Sequence, residues 1–448
     1  MSKIAPISGF PEWTPAQRIV EQHFLDHIRR TFELHGFASL ETRAVEPLDT
    51  LLSKGETSKE VYLLRRLQAE ADEPRGTNDA QLGLHFDLTV PFARYVVENA
   101  GKLTFPFRRY QIQKVWRGER PQEGRYREFY QCDIDIVDRD NLSAHFEAEV
   151  PLVIGDVFAG LPLPKATIQV NNRKVLEGFY RGLGIADPME TMRIVDKLDK
   201  IGPKGVLDEL VKSGVPTEAA EKCLALAEIS AADASFADAV AKLGVSDPLL
   251  DEGLAELVAV VETAGAHAPG LCRAELKIAR GLDYYTGTVY ETQLAGYERF
   301  GSVCSGGRYD NLASSGTERF PGVGISIGLS RLLGLLFKDD ALTASRAVPT
   351  VVLVALTADE DRAAAMRTAT ALRSRGISVE VSPTAAKFGK QIKYAERRGI
   401  PYVWFAGTEE GGGDSVKDIR SGAQIPAQAT TWEPAVADLR PIVSGPIG

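Results

Sequence analysis

The sequence predicts a strand-rich α+β body with flanking helices, a helical insertion and a C-terminal α/β domain. Three observations predict it. Strand-like segments bracket an arginine-rich loop between about residues 103 and 137 and resume after about residue 271. The span 165–265, dense in Ala, Leu, Glu, Lys and Asp and broken by GP, GV and DP turns, has the character of a separate helical insertion. Beyond residue 346, strand and helix alternate regularly, which implies a small α/β domain with a largely parallel sheet. At roughly 150 residues per domain, a chain of 448 residues holds about three domains.

Composition narrows the function classes. An apolar fraction of 44% and a charged fraction of 25% are ordinary for a soluble globular protein. The formal net charge of −9 excludes a uniformly basic surface, so any nucleic-acid partner must be held by local patches. The N-terminus lacks the apolar run of a signal peptide, and no segment approaches about 18 consecutive apolar residues, so the expectation is a cytoplasmic protein without membrane association. Cys132, Cys223, Cys272 and Cys304 lie far apart with no CxxC pair, which points to free buried thiols.

In chain order, Thr14, Pro15 and Gln17 form a capping-box helix start, and Ile19, Phe24, Ile28 and Phe32 can line one face until Gly36. The run ASLETRAV predicts a strand that meets Pro47. The segment EFYQCDIDIV alternates. In a strand, Phe129, Gln131, Asp133 and Asp135 share one face while Tyr130, Cys132, Ile134 and Ile136 form the core face. Between residues 338 and 349, KDDALTASRAVP reads as a linker. The boundaries that follow are 1–164 with 266–338 for the body, 165–265 for the insertion and 346–448 for the last domain.

Several stretches carry candidate chemistry. From Arg108 to Arg127, seven residues are Lys or Arg and two are acidic, around a Pro- and Gly-containing centre, GERPQEG, that must be a loop. This hairpin is either a solvated turn or an anion-binding loop beside a polar floor. In HFDLTVPFARY, Asp87 and Thr89 share one face of a short strand, or form a turn or cap. In IARGLDYYTGTVY, Arg280 beside Tyr284 and Tyr285 suits phosphate plus a polar heterocycle, or a surface turn. In PGVGISIGLSRLLGLLF, Gly322, Gly324 and Gly328 permit close approach, and the leucines that follow put Arg331 in the first turn of a helix. GISIG also fits the hydrolase elbow G-x-S-x-G, but none of the six histidines follows Ser326, so a triad is excluded. In KFGKQIKYAERRG, Lys387, Lys390, Lys393 and Arg397 share a helix face, opposite Phe388, Ile392 and Ala395. That face is either solvated or a phosphate-backbone contact.

Together these stretches resemble the signature motifs of class II aminoacyl-tRNA synthetases, and more narrowly those of the histidyl-tRNA synthetase family. Pro47 is similar to the first-motif proline at the dimer interface, WRGERPQEGRYREFYQ to the second motif and GVGISIGLSR to the third. RGLDYYTG and SGGRYD resemble the two histidine-specific motifs, and KQIKYAERRGIPYV with SVKDIRSG resembles the anticodon-binding domain. The resemblance implies a mainly antiparallel catalytic sheet, a homodimer, and ATP-dependent ligation of L-histidine to its tRNA through histidyl-adenylate. It assigns Arg117 to the α-phosphate and the histidine carboxylate, and Arg280 to charge developing on that phosphate. Phe129 and Arg331 would sandwich adenine, with Glu119 also at ATP. Asp87, Thr89 and Gln131 would take the α-amino group, while Asp135, Tyr284 and Tyr285 would define the imidazole. Arg120 and Gln122 fall on the tRNA side of the loop, and Lys387, Lys390 and Lys393 on an anticodon-domain surface. Mg²⁺ is expected with the ATP phosphates, with no protein ligand assigned.

A pocket that hydrogen-bonds both imidazole nitrogens can reject misfits by roughly 10⁴ to 10⁵, so no editing domain is needed. Two positions depart from the pattern. Asp87 stands where many bacterial members carry Glu, and Ser330 where the third motif usually has an acidic residue. The competing reading is a non-catalytic synthetase-like regulatory subunit or tRNA sensor. The loop around GERPQEG is expected to order over bound ATP or adenylate.

Overall fold

The computed structural model describes residues 5–52, 60–65, 81–279, 284–407 and 412–446. The chain divides into two compact units, one built from the stretch up to Pro11 with Leu25–Leu335, the other from Glu12–Phe24 with Leu336–Pro446.

The first unit is organised on a nine-stranded sheet. Its strands in chain order are β1 (Ala38–Ser39), β2 (Phe107–Trp116), β3 (Glu128–Val137), β4 (Ala166–Asn172), β5 (Ser230–Ala231), β6 (Cys272–Glu275), β7 (Thr288–Leu294), β8 (Cys304–Ser315) and β9 (Glu318–Gly328). Their spatial order is β1-β2-β3-β9-β8-β7-β4-β6-β5. Only β1–β2 and β4–β6 pair in parallel, so the sheet is mainly antiparallel, as expected. Cys132, Ile134 and Ile136 on β3 are fully buried, which confirms the core face predicted from alternation.

Helix α1 (Pro15–Leu34) starts at the predicted capping box. The Thr14 backbone N–H donates to Gln17 Oε1 at 3.0 Å, and the Gln17 N–H donates to Thr14 Oγ1 at 3.5 Å. Phe24, Ile28 and Phe32 are buried as expected, whereas Ile19 is only partly buried and Val20 and Leu25 are buried instead, and Gly36 follows the helix in the left-handed region at φ 77°.

Three expectations are corrected. ASLETRAV is not one strand. It splits into β1 and a short strand, Val45–Pro47, of a separate three-stranded sheet with Leu63–Leu64 and Leu82–Leu84. Between the two pieces, Gln111 and Gln113 side chains donate to Thr42 Oγ1 and to the Thr42 carbonyl, so that backbone is tied by side chains rather than by a ladder. The helical insertion does not begin at residue 165, because residues 166–172 are β4, paired along its length with β7. The helices start at Arg173. Asp87 and Thr89 do not share a strand either: Thr89 opens helix α2 (Thr89–Asn99), and Asp87 Oδ1 accepts the Val90 N–H at 3.1 Å, closing its first turn.

Helix α3 (His145–Ala159) follows β3. The helical region comprises α4 (Arg173–Gly182), α5 (Pro188–Val195), α6 (Leu198–Lys212), α7 (Thr217–Ala227), α8 (Ser235–Ala241) and α9 (Pro248–His267). Helices α4 and α9 cross closely, since a Cβ on Gly178 would lie 2.2 Å from the Leu250 nitrogen. Helix α10 (Leu329–Lys338) follows β9 directly.

In the second unit, β10 (Val352–Val354), α11 (Arg362–Arg373), β11 (Val379–Val381), α12 (Phe388–Arg398) and β12 (Tyr402–Phe405) alternate as predicted, followed by β13 (Asp414–Asp418) and β14 (Gln424–Ala427). Strands β10, β11 and β12 are parallel, while β13 and β14 add antiparallel. Val352 and Val354 pack with Ala365, Ala369 and Leu372 of α11, whereas Leu353 and Ala355 pack with Phe388, Ile392 and Ala395 of α12. Strand alternation thus places one helix on each face. Among the described residues, no helix is long and apolar enough to cross a membrane.

Candidate active site

Strand β3 supplies the floor. Its Gln131, Asp133 and Asp135 point away from the core face yet are themselves almost fully buried. Glycines opposite make this possible. Asp135 faces Gly324 across the β3–β9 pair, and a Cβ there would sit 2.2 Å from Asp135 Oδ1. A Cβ on Gly322 would meet the ring of Tyr309, whose hydroxyl donates to Asp135 Oδ1 at 2.8 Å.

Beside these residues lies a narrow recess lined by Thr89, Asp133, Asp135, Tyr285, Ser305 and Tyr309 among others. Its electrostatics are lopsided. Arg109, fully buried and opposite Asp135 on β2, reaches Asp135 Oδ2 with Nη2 at 2.6 Å and lies 4.4 Å over the Phe92 ring. Burial raises all three nearby carboxyls, Asp87 to about 6 and Asp133 to about 7, and it raises Asp135 against the opposing Arg109 charge. Asp87 Oδ2, Asp133 Oδ1 and Gln131 Oε1 are buried without a hydrogen-bond partner. Burial also raises the Tyr284 and Tyr285 hydroxyls, which therefore stay protonated and can donate. Such a recess accepts a small cationic, hydrogen-bonding ligand.

Its neighbour has the opposite sign. A cleft of about 760 Å³ is lined by Arg117, Glu119, Arg125, Phe129, Gln131 and Arg331, among others. The Arg117 guanidinium lies 5.3 Å over the Phe129 ring, and its Nε donates to the Phe86 carbonyl at 2.9 Å. Arg331 bonds the Phe300 carbonyl, but its Nε is buried without a partner. Burial first, then the Arg125 charge, lowers its pKa to about 10, so it remains a cation at neutral pH with little compensation. Guanidinium groups around an aromatic face suit a phosphate-bearing heterocycle.

The loop between β2 and β3 folds on itself through Gln122 N–H to Arg125 O at 3.2 Å and the reverse bond at 2.9 Å. The chain's own carbonyls hold it. Gly9 O accepts from the Arg127 N–H at 2.7 Å, and Glu60 O accepts from the Gly118 N–H at 2.8 Å. Gly9 itself sits at φ +86°, and a Cβ there would come within 2.9 Å of Arg127. Neither the Gly9 nor the Glu60 anchor was visible in sequence pattern.

The structure therefore brings Arg117, Glu119, Phe129, Gln131 and Arg331 to one cleft, and Thr89, Asp135 and Tyr285 to the adjoining recess. Asp87 joins them through its electrostatic coupling to Arg117 and Asp135, and Tyr284 through its ring contact with Tyr285 at 4.9 Å. Arg120 and Gln122 are exposed on the loop. Arg280 lies outside the described residues. Ser330 Oγ accepts the Tyr130 N–H at 2.9 Å, pinning α10 to β3. Ser326 sits within β9, accepting Gln131 Nε2 at 2.7 Å, which disposes of the hydrolase elbow. Sequence reasoning gave no role to Arg109, Asp133 or Tyr309. Alternation had placed Asp133 on the right face, but nothing local pairs Arg109 with a carboxylate 26 positions away.

In the second unit, Lys387, Lys390, Lys393 and Arg397 are exposed on one side of α12, while Gln391 and Ala395 are buried on the other. Gln391 donates to the Leu356 and Ala386 carbonyls and accepts the Leu356 N–H, fixing the basic face outward.

A family profile described as histidyl-tRNA synthetase matches residues 9–332, and one described as an anticodon binding domain matches residues 350–433. The histidine–tRNA ligase of Cutibacterium acnes is 56% identical over 453 residues, covering 99% of this chain and 100% of that protein. That of Micrococcus luteus is also 56% identical, covering 99% of each. The crystal structure of histidyl-tRNA synthetase from Nostoc sp. PCC 7120 matches with a TM-score of 0.85 at 35% identity, covering 96% of this chain and 98% of that one. An ATP phosphoribosyltransferase regulatory subunit/histidyl-tRNA synthetase structure from Bacillus halodurans C, at 17% identity and a TM-score of 0.70, shares the fold alone.

Proposed function

The chain belongs to the histidyl-tRNA synthetase family and charges tRNA with histidine using ATP, and we propose that it does so through a histidyl-adenylate formed along β3. The observation that carries this reading is the junction of two sites of opposite sign on one strand. A carboxylate-lined recess at Asp133 and Asp135 adjoins an arginine-lined cleft at Phe129, with Gln131 between them.

The ammonium group of histidine enters the recess at Asp87, Thr89 and Gln131, and its imidazole meets Asp135, Tyr284 and Tyr285. This directs its carboxylate toward Arg117. Adenine stacks between Phe129 and Arg331, leaving the phosphates among Arg117, Arg280 and Arg331. The carboxylate oxygen then attacks the α-phosphorus; the acyl–phosphate bond forms as the bond to the bridging oxygen breaks, and pyrophosphate departs. In the second step a terminal tRNA hydroxyl attacks the acyl carbon and AMP leaves. The guanidinium groups contribute by meeting negative charge where it grows.

Among the described residues no group of three or more His, Cys, Asp or Glu side chains could hold a metal ion. Mg²⁺ is expected to arrive on the ATP phosphates, whose charge it would neutralise. Arg120 and Gln122 face the tRNA end, and the basic side of α12 meets the phosphate backbone near the anticodon. A homodimer in the cytoplasm completes the reading, with residues 1–164 and 266–338, extended by β4 at 166–172, as the catalytic body and 346–448 as the anticodon-binding domain. The regulatory alternative is not favoured, because relatives named as ligases are 54–56% identical over nearly the whole chain.

Histidine-dependent exchange of pyrophosphate into ATP tests the proposal. Robust exchange with L-histidine, and none with other amino acids, is expected; a folded protein without exchange would sink the adenylate route.

A further inference from the structure

Gln131, Asp133 and Asp135 form one row on β3, and the reading above uses only its two ends. Asp133 is 2% exposed, lines the recess, and has Oδ1 buried without a hydrogen-bond partner. Leaving a carboxylate oxygen buried and unpaired is costly unless something arrives to pair with it. The charged groups around it do not serve. The Arg109 charge on β2 favours the ionised form of Asp133, but that guanidinium is paired with Asp135 Oδ2, and Arg117 is held at the Phe86 carbonyl. Asp135 on the same strand and Asp87 before α2 repel it, while Tyr285, Cys132 on β3 and Cys304 on β8 are neutral neighbours, kept so in part by the Asp133 charge, and none of them supplies a counter-ion. The hydroxyl of Ser326, opposite on β9, favours its charged form, but one hydroxyl does not replace a counter-ion.

We propose that Asp133 is a further histidine-binding carboxylate, which pairs with the substrate's α-ammonium group beside Asp87 and releases its own proton to solvent as that cation enters. The inference rests on the reading that this recess holds histidine. Its balance is simple. The O–H bond of the Asp133 carboxyl breaks, the proton passes to buffer, and the ammonium keeps its three hydrogens while its charge is matched. Burial holds Asp133 near pKa 7 in the free recess, so at neutral pH a substantial fraction carries the proton to be released.

Calorimetric titration of L-histidine into the full-length protein, in buffers of different ionisation enthalpy, counts the protons exchanged. Release of about half a proton per histidine is expected at pH 7, shrinking by pH 8. Asp133→Asn should cut the release several-fold, to the small share that Asp87 can give, and weaken histidine binding about tenfold or more. Histamine, which keeps the amine, should still provoke release; imidazolepropionate, which lacks it, should not. Release that is undiminished in Asp133→Asn, unchanged affinity in that variant, or release with imidazolepropionate would each overturn the assignment. If the variant fails to fold, the wild type still decides, because histidine binding without proton release at pH 7 refutes the proposal. A wild type that binds no histidine would instead overturn the functional reading beneath it.

Discussion

Asp133 is under conflicting demands in the free and the folded-but-empty protein, and the sign of its effect on stability follows from its raised pKa. In the unfolded chain it ionises near 3.8, whereas burial lifts it to about 7 in the fold. Between those values the folded state holds a proton that the unfolded state has lost, so its contribution to stability falls as pH rises. Asp133→Asn removes that penalty. The melting temperature of the variant relative to wild type should therefore climb from pH 5 to pH 8, by at least about 2 °C; a difference independent of pH would show that the carboxyl ionises normally. A residue that weakens the empty protein at the pH where it binds its ligand is a typical cost of function. Arg280 belongs to the same scale but a different step. A cation matched to charge on the α-phosphate acts mainly in the transition state, so Arg280→Ala should leave histidine affinity intact and slow exchange by roughly 10² to 10³. Collapse of histidine affinity would reassign it to the amino-acid pocket.

At the scale of elements, what was legible depended on whether a signal was local. Strand β3 was readable because period-two alternation needs no partner, and α1 because its cap, Thr14 and Gln17, lies within four residues. The C-terminal alternation was readable because each strand and helix carries its own pattern. The segment Ala38–Pro47 was misread because the choice between one strand and two is made by Gln111 and Gln113, some 70 positions away. β4 was missed because it lies at the threshold of a long helical stretch and is defined by pairing with β7, over 100 residues downstream. Asp87 was half legible: its cap was an open alternative, but its coupling to Arg117 and Asp135 is tertiary. Helix α12 offers the test proper to this scale. Its lysines face outward because Gln391 and Ala395 face inward. Lys390→Ala with Lys393→Ala should weaken tRNA affinity and reduce the slope of log affinity against log salt by about 1 to 2. Pyrophosphate exchange, which needs no tRNA, should be unchanged. An unaltered salt slope would return this face to simple solvation.

For the molecule as a whole, the question is what the chain presents to another copy of itself. Pro47 ends the strand Val45–Pro47 and pairs with Leu82, which pairs in turn with Leu64. Leu64 and Leu82, paired across the strands, are each 42% exposed, an apolar pair at the motif that the family resemblance places in a dimer interface. The same strand is tied to the site. Glu46 is fully buried between Arg43 and Arg94, the latter on α2, which begins at Thr89. Leu82–Leu84 runs on through His85, whose Nε2 bonds the Lys114 carbonyl at 2.7 Å and whose ring stacks on Trp116, to Asp87. Covering these leucines would thus steady the segment that carries Asp87 and Thr89. Leu64→Asp with Leu82→Asp should place charges across that surface, converting the proposed dimer to a monomer in sedimentation equilibrium. Because the site is connected to the same strand, histidine affinity should fall in parallel with dissociation and recover at protein concentrations that restore the dimer. A variant that keeps the wild-type mass would mean that these leucines are not the interface. A monomer with full histidine affinity would mean that each catalytic body is complete without its partner.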